Sequence, residues 1–127
     1  GSEGAKEQAA AALRTLARNA DNEVTIAAAG AIEPLVALVR GGSEGAKEQA
    51  AAALRTLARN ADNRVPIAAA GAIEPLVALV RGGSERAKVE AAVALRILAR
   101  NADNRVTIAA AGAIEPLVAL VRGGSEG

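Results

Sequence analysis

The residues with reactive side chains recur along this chain at one fixed interval. The serines are Ser2, Ser43, Ser84 and Ser125, and the aspartates are Asp21, Asp62 and Asp103, with 41 residues between successive members of each set. A serine nucleophile needs an adjacent base, and the chain contains no histidine. At a helix start, by contrast, a serine or aspartate oxygen accepts a hydrogen bond from an unpaired backbone N–H. The spacing therefore predicts helix-capping residues, and we expect no catalytic site and no enzyme.

The set of metal and cofactor ligands is equally restricted. Cysteine and histidine are both absent, so the side chains that most often bind zinc and other transition metals are missing. The glycine-rich segment Gly41–Gly45 lacks the lysine and the preceding strand of a phosphate-binding loop. We therefore expect no metal and no cofactor, and we interpret the glycines as a turn between helices.

Charge and composition also restrict the partners. The chain mixes 15 Lys and Arg with 14 Asp and Glu, carries a net charge of +1 and has no aromatic residue. It offers neither a strong positive field nor stacking platforms for bases, which predicts no nucleic-acid partner. The longest weakly polar run, 24–39, is interrupted by Gly30, Glu33 and Pro34, which predicts no membrane span. No targeting signal opens the sequence, so the location stays unknown, consistent with cytoplasmic recombinant expression.

An internal repeat organises the whole chain. The segment GAIEPLVALVRGG occurs at 30–42, again at 71–83 and a third time at 112–124. A fixed period of about 40 residues is typical of solenoids, in which each unit packs only on its neighbours. The sequence thus predicts a single repeat domain over 1–127, composed of the units 2–42, 43–83 and 84–124.

Each unit is predicted to contain three helices of different length. Apolar residues recur at helical spacing over Glu3–Asn19, with Ser2 as the cap. A short helix is expected to begin at Asp21 or Asn22 and to end at Gly30 in the left-handed conformation. A third helix is expected over 32–40, with Pro34 in its first turn.

The second unit restricts the start of the short helix further. Pro66 stands there in place of Thr25. Proline is tolerated in the first turn of a helix, where its missing N–H would be unused, so we expect this helix to begin within a residue or so of Asn63. No segment of any unit alternates with a period of two residues, and the predicted fold class is all-α.

The helical triplet with GAIEPLVALVRGG followed by EQAAAALRTLA resembles the armadillo repeat. This resemblance covers nearly every residue and implies a right-handed α-solenoid of three armadillo-type repeats. In that family a short first helix and a second helix precede the long third helix, so the chain is expected to start with a third helix and to end with a second. HEAT repeats of similar length are the alternative, disfavoured by the separate short helix before Gly30.

The near-identity of the units bears on their origin. The first two differ only at Glu23 against Arg64 and at Thr25 against Pro66. Natural drift would scatter changes over surface positions, whereas the capping and loop residues here are identical. A recent natural duplication is one explanation, and a designed consensus array of armadillo type is the one we favour.

The resemblance also implies a groove for extended peptides, lined by the third helices. In the family a tryptophan and an asparagine on that helix hold the peptide. The tryptophan positions match Ala11, Ala52 and Val93, and the asparagine positions match Thr15, Thr56 and Ile97, so both signature residues are absent. We expect the groove shape to persist, with Arg18, Ala52, Thr56 and Arg59 as its candidate residues and with Arg100 extending a column of arginines that favours an acidic peptide.

The third unit differs from the others along one line of its long helix. Val89, Val93 and Ile97 follow one another at intervals of four residues and replace Glu, Ala and Thr of the earlier units. An exposed apolar line usually marks an interface, here with Arg86, Arg96 and Arg100 as a polar rim. The alternative is that a neighbouring helix covers these residues as ordinary core.

Self-association is the function that these features favour. The first and last units lack the polar outer faces of capping repeats, so the ends of one molecule are expected to stack on those of another. The chain is therefore interpreted as a non-catalytic designed armadillo scaffold that forms homo-oligomers through its uncapped ends or the third-unit line. The alternative function is a peptide-binding module that uses the groove.

Overall fold

The computed structural model describes residues 2–123, in which nine α-helices and no strand occur. The helices are α1 (Glu3–Leu16), α2 (Ala20–Ala28), α3 (Ile32–Gly41), α4 (Glu44–Leu57), α5 (Ala61–Ala69), α6 (Ile73–Gly82), α7 (Glu85–Leu98), α8 (Ala102–Ala110) and α9 (Ile114–Val121). A long, a short and a medium helix thus follow one another three times. The predicted all-α fold is confirmed, although each long helix ends three residues earlier than Asn19 and its counterparts suggest.

Serine caps the long helices as predicted. The hydroxyl oxygen of Ser2 accepts a hydrogen bond from the N–H of Ala5 at 3.1 Å, and Ser43 and Ser84 do the same for α4 and α7. An acidic residue follows each of these serines, which suits the positive end of the helix dipole. Ser125 lies outside the described residues.

The short helices begin earlier than predicted, because asparagine is their cap. Asn19 Oδ1 accepts hydrogen bonds from the N–H groups of Asp21 at 2.9 Å and Asn22 at 3.3 Å, so α2 already starts at Ala20. The prediction that Asp21 or Asn22 begins this helix is therefore wrong.

The predicted position of Pro66 is wrong for the same reason. The side chain of Asn60 caps α5, which starts at Ala61, so Pro66 lies inside the helix and not in its first turn. Pro66 is exposed at the surface of α5. Thr25 occupies the same position in α2 and donates its hydroxyl to the carbonyl of Asp21 at 3.3 Å.

A glycine in the left-handed conformation joins the short and medium helices. Gly30 has φ +84°, and its N–H donates to Ala27 O while the N–H of Ala31 donates to Ile26 O. These two bonds form the hydrogen-bonding pattern that ends many helices, and only glycine adopts that φ without strain. The axes of α2 and α3 consequently differ by 85°. The prediction for Gly30 is confirmed.

Repetition of this unit builds three rows of helices. The long helices pack side by side in the order α1, α4, α7, and each of α3 and α6 packs against the long helix that follows it. The buried side chains are almost all Ala, Val, Leu and Ile.

Within residues 2–123, no single helix is long and apolar enough to cross a membrane. Three pairs of consecutive helices reach that length and hydrophobicity together, by length and composition only, and each pair is bent by 85–87°.

Polar side chains fix each unit on the next. Arg40 Nη2 donates to Gly71 O and Arg81 Nη2 donates to Gly112 O, both at 3.2 Å. The side-chain amide of Asn63 donates to Leu57 O at 2.9 Å within its own unit and to Glu23 O at 3.4 Å in the preceding unit. Because the same bonds recur at both junctions, the units repeat in orientation as well as in sequence.

Identical residues nevertheless lie in different environments. Leu16 of α1 is 52% exposed, whereas its counterpart Leu57 of α4 is 0% exposed, because a preceding unit covers only the latter. The middle long helix is therefore the most deeply packed element among the described residues.

This difference predicts unequal costs for the same substitution. Replacement of Leu57 by Ala should lower the free energy of unfolding by about 2–5 kcal/mol, because it leaves a cavity. Replacement of Leu16 by Ala should lower it by about 1 kcal/mol or less, because half of that side chain is already in water. Urea unfolding followed by far-ultraviolet circular dichroism measures both. Equal costs for the two variants would contradict the described packing.

Candidate functional site

The serine hydroxyls at the starts of the three long helices act as helix caps, as predicted. The Oγ atoms of Ser2, Ser43 and Ser84 each accept a backbone N–H at a helix start. Among the described residues, no three His, Cys, Asp or Glu side chains lie close enough together to hold a metal ion.

Two of the four predicted groove residues are not accessible to a peptide. Ala52 and Thr56 are buried, and Thr56 Oγ1 donates its hydrogen bond to Ala52 O at 3.0 Å in its own helix. The expectation that they line an open groove is therefore wrong, because neighbouring units pack over both positions. Arg18 and Arg59 are exposed, as is Arg100 at the same position of the third unit.

The third-unit line is exposed at one end and buried at the other. Val89 is 59% exposed and Val93 is partly exposed, whereas Ile97 is 4% exposed. The expectation of a wholly solvent-exposed line is wrong at Ile97. Its counterpart Thr15, in the unit with no neighbour on that side, is exposed. This position thus faces the preceding unit, and Ile97 joins the core there.

Val89 belongs to a larger apolar surface formed by α7 and α9. We call it the C-terminal face, and it comprises the exposed or partly exposed side chains of Val89, Val93, Ile114, Val118 and Val121. Arg86, Arg96 and Arg100 on α7 are also exposed. Sequence reasoning found the two parts of this face separately, as a line on one helix and as an uncovered last helix, and the fold brings them together.

The opposite surface of the array is apolar too, but its side chains are smaller. We call it the N-terminal face, which consists of exposed Ala5, Ala9, Ala12 and Leu16 of α1 and Pro34 and Ala37 of α3. A cleft of about 430 Å³ lies between α1 and α3 on this side and is lined largely by Ala and Leu. The two faces therefore differ in the bulk of the side chains that they present.

A buried ion pair that sequence reasoning missed joins the second and third units. Glu90 is almost fully buried, and its Oε1 lies 3.1 Å from Arg55 Nη1 of the neighbouring long helix. Arg86 Nε lies 3.9 Å from the other carboxylate oxygen. The first two units have Gln at this position, and only the third has Glu. This difference is the sequence signal from which the ion pair could have been predicted. Glu90 thus faces the second unit, while Val89 beside it faces outward.

A second buried carboxylate is less well accommodated. Burial raises the pKa of Glu23, and the guanidinium of Arg59 only partly offsets this. At the same position of the second unit, Arg64 Nε donates to Ala58 O at 2.8 Å and its Nη2 donates to Arg59 O at 3.0 Å. A cation suits these carbonyls at the end of a long helix, whereas an anion does not.

The helical architecture defines the class of protein. Repeated three-helix units that pack in one direction define an α-helical repeat protein.

Comparison with known proteins identifies the family. The Armadillo/beta-catenin-like repeat matches residues 19–59 and 60–100, each of which begins with the cap of a short helix and runs through a long helix. The chain belongs to the armadillo repeat family. The frame of these matches agrees with the prediction that the chain opens with a third helix of the family unit. No curated protein gave a significant sequence match.

Solved structures of engineered proteins share the fold. A crystal structure of an engineered protein is 34% identical, with a TM-score of 0.83 over 88% of this chain and 48% of the other. A designed armadillo repeat protein in complex with the peptide (KR)4 is 32% identical, with a TM-score of 0.88 over 95% of this chain and 52% of the other. Another designed armadillo repeat protein is 31% identical, with a TM-score of 0.86 over 92% and 50%.

The chain spans about half the length of these structures. The predictions of an all-α repeat fold and of an armadillo chain that resembles designed members of the family are confirmed by the matches.

The environment of Glu23 yields a prediction about pH. The folded-state pKa is raised, so the folded chain holds this proton more tightly than the unfolded chain does. Stability contributed by the protonated form is therefore lost as pH rises above the ordinary glutamate pKa of about 4.3 and through the raised value. Glu23→Gln should accordingly become more stable than the parent chain as pH rises from about 4 to about 7.

Glu23→Arg is the matched variant, because it copies Arg64. We expect a gain of about 1 kcal/mol at neutral pH from hydrogen bonds to the carbonyls of Ala17 and Arg18. Thermal and urea unfolding across this pH range measure both variants. A parent chain that is more stable than Glu23→Gln at neutral pH would contradict the assignment.

Proposed function

We propose that this chain is a non-catalytic armadillo scaffold that associates with itself through the C-terminal face. The observation that carries the proposal is the exposure of Val89 on α7 and of three large apolar side chains on α9. The α9 residues are Ile114, Val118 and Val121, and their counterparts in α6, which the next unit covers, are at most 3% exposed. An apolar surface of this kind is usually an interaction site in a folded protein. The designed character of the relatives agrees with a scaffold role.

The position of the chemical groups agrees with a role that is not catalytic. The hydroxyls of Ser2, Ser43 and Ser84 are engaged as helix caps. At the unit junctions, Arg40 and Arg81 hydrogen-bond to backbone carbonyls.

Light scattering coupled to size-exclusion chromatography tests self-association. We expect an average mass above the 12.6 kDa of one chain, rising with concentration until association is complete. Val118→Glu should lower the association constant at least about tenfold, because it places a charge inside the apolar contact. Its control is Val24→Glu, since Val24 is 56% exposed on α2, away from the C-terminal face.

The control variant should associate like the parent chain, and both variants should keep the parent's helical circular dichroism. A mass of 12.6 kDa at every concentration would overturn the proposal, as would equal loss of association in both variants.

A second candidate function is the binding of an extended peptide along the long helices. It is favoured by the relative that is in complex with the peptide (KR)4 and by the exposed column of Arg18, Arg59 and Arg100, one from each unit. The guanidinium groups favour a peptide with carboxylate side chains. Since Ala52 and Thr56 are buried, the arginines and not these two residues would supply the contacts.

Titration with a peptide of alternating Glu and Asp tests this second function. Micromolar binding that weakens at least about tenfold in Arg59→Ala would support it, since a charge-assisted hydrogen bond contributes about 1.5–3 kcal/mol. Arg105→Ala removes an exposed arginine of α8 and serves as the control. Equal binding of a Lys-Arg peptide, or equal loss in both variants, would contradict recognition by the column.

A further inference from the structure

We infer that the C-terminal face binds the same face of a second copy, in a closed two-fold dimer, and does not continue the array head to tail. This inference rests on the proposed function, because it specifies the geometry of that self-association. Three observations support it. The same surface is buried at the junctions within the chain, Val89 replaces a glutamate of the earlier units, and Val93 replaces an alanine.

The same surface is a covered interface at both junctions within the chain. Ile73 and Val80 of α6 are 3% and 2% exposed, because the third unit packs over them. Their counterparts Ile114 and Val121 of α9 are 61% and 88% exposed. The C-terminal face is thus continuous in position and composition with an established interface, and a protein surface is the occupant that it fits.

The third unit has lost the carboxylate that receives a following unit. Glu48 Oε2 accepts a hydrogen bond from the hydroxyl of Ser84 at 2.6 Å, at the start of the next long helix. Glu7 at the first junction reaches Gly45, where a side-chain carbon would lie only 2.5 Å from its Oε2 atom. Val89 occupies this position in the third unit and cannot accept a hydrogen bond. A head-to-tail neighbour would find this contact missing.

The third unit has also gained bulk where a following unit would need space. Val93 occupies the position that is Ala52 in the middle unit. Ala52 lies between two neighbouring units and is 0% exposed. At such a covered position two more methyl groups would have to fit into a packed contact, and overpacking is destabilising. Both exchanges therefore disfavour the N-terminal face as the occupant.

The same exchanges make the face suitable for a copy of itself. Replacement of Glu by Val89 removes a charge that would otherwise meet its own symmetry mate, and Val93 adds apolar area beside it. The charged Arg86 and Arg96 remain exposed on the same helix. A contact between identical surfaces closes at two copies, whereas a contact between different faces continues into a filament unless its rotation closes a ring.

Charge substitutions on the two faces distinguish the geometries. Val89→Glu restores the residue of the first two units, and Leu16→Glu places the same charge on the N-terminal face at similar exposure, 52% against 59%. For the two-fold dimer we expect Val89→Glu to weaken association at least about tenfold, Leu16→Glu to leave it unchanged, and the mass to stop at two chains.

Opposite results would overturn the inference while the proposed function stands. One such result is that Leu16→Glu abolishes association while Val89→Glu preserves or strengthens it. The other is a mass that grows beyond two chains. A chain that is monomeric throughout would instead refute the proposed function, and this inference with it.

The absence of cysteine allows a second, independent measurement. Single variants Val89→Cys and Val93→Cys place one thiol each on the C-terminal face of a chain that has no other. Under mild oxidation, at least one of them should form a disulfide-linked dimer at protein concentrations where Val24→Cys, on α2, stays monomeric. Failure of both to form dimers while the unmodified chain associates would refute the two-fold contact. A ladder of linked species from the double variant Gly4→Cys with Val89→Cys would indicate head-to-tail stacking.

Discussion

The close approach of neighbouring long helices is the constraint on which this structure depends. Without aromatic residues or methionine, the core consists of small and medium side chains, and Ala50, Ala51, Ala52 and Ala53 are all buried in the middle long helix. Alanine contributes little free energy by burial alone, so the helices must lie near enough for many atoms to be in contact. A larger residue on this helix therefore changes the distance between units and not only one local contact.

This constraint explains which parts of the structure could be predicted from the sequence. The period, the serine caps and the left-handed Gly30 depend on local backbone chemistry, which is the same in every unit. The burial of Thr56 and Ile97 depends on a neighbour at the side of the helix, and one helical wheel cannot show a helix that is covered on two sides. The prediction that Pro66 lies in the first turn of its helix is wrong for a different reason, because the cap of that helix is Asn60 and not a later residue.

Polar residues at the same position of different units act in different ways. Glu23 is buried beside the end of a long helix, where its charge is unfavourable, whereas Arg64 hydrogen-bonds to carbonyls there. Glu90 stands where the first two units have Gln, and it forms an ion pair with Arg55 of the second unit. The neighbouring Val89 changes the outward-facing side of the same helix. The third unit thus keeps its attachment to the array while its outer surface differs from that of the first two units.

The arginines that cross the unit junctions have a mechanical consequence. Arg40 and Arg81 donate to the carbonyls of Gly71 and Gly112, the glycines at which the chain turns between a short and a medium helix. The orientation of each turn is therefore tied to the unit before it. A small rotation at one junction would therefore change the direction of every unit that follows it. The angle between successive units is thus set at the junctions, where these arginine hydrogen bonds lie.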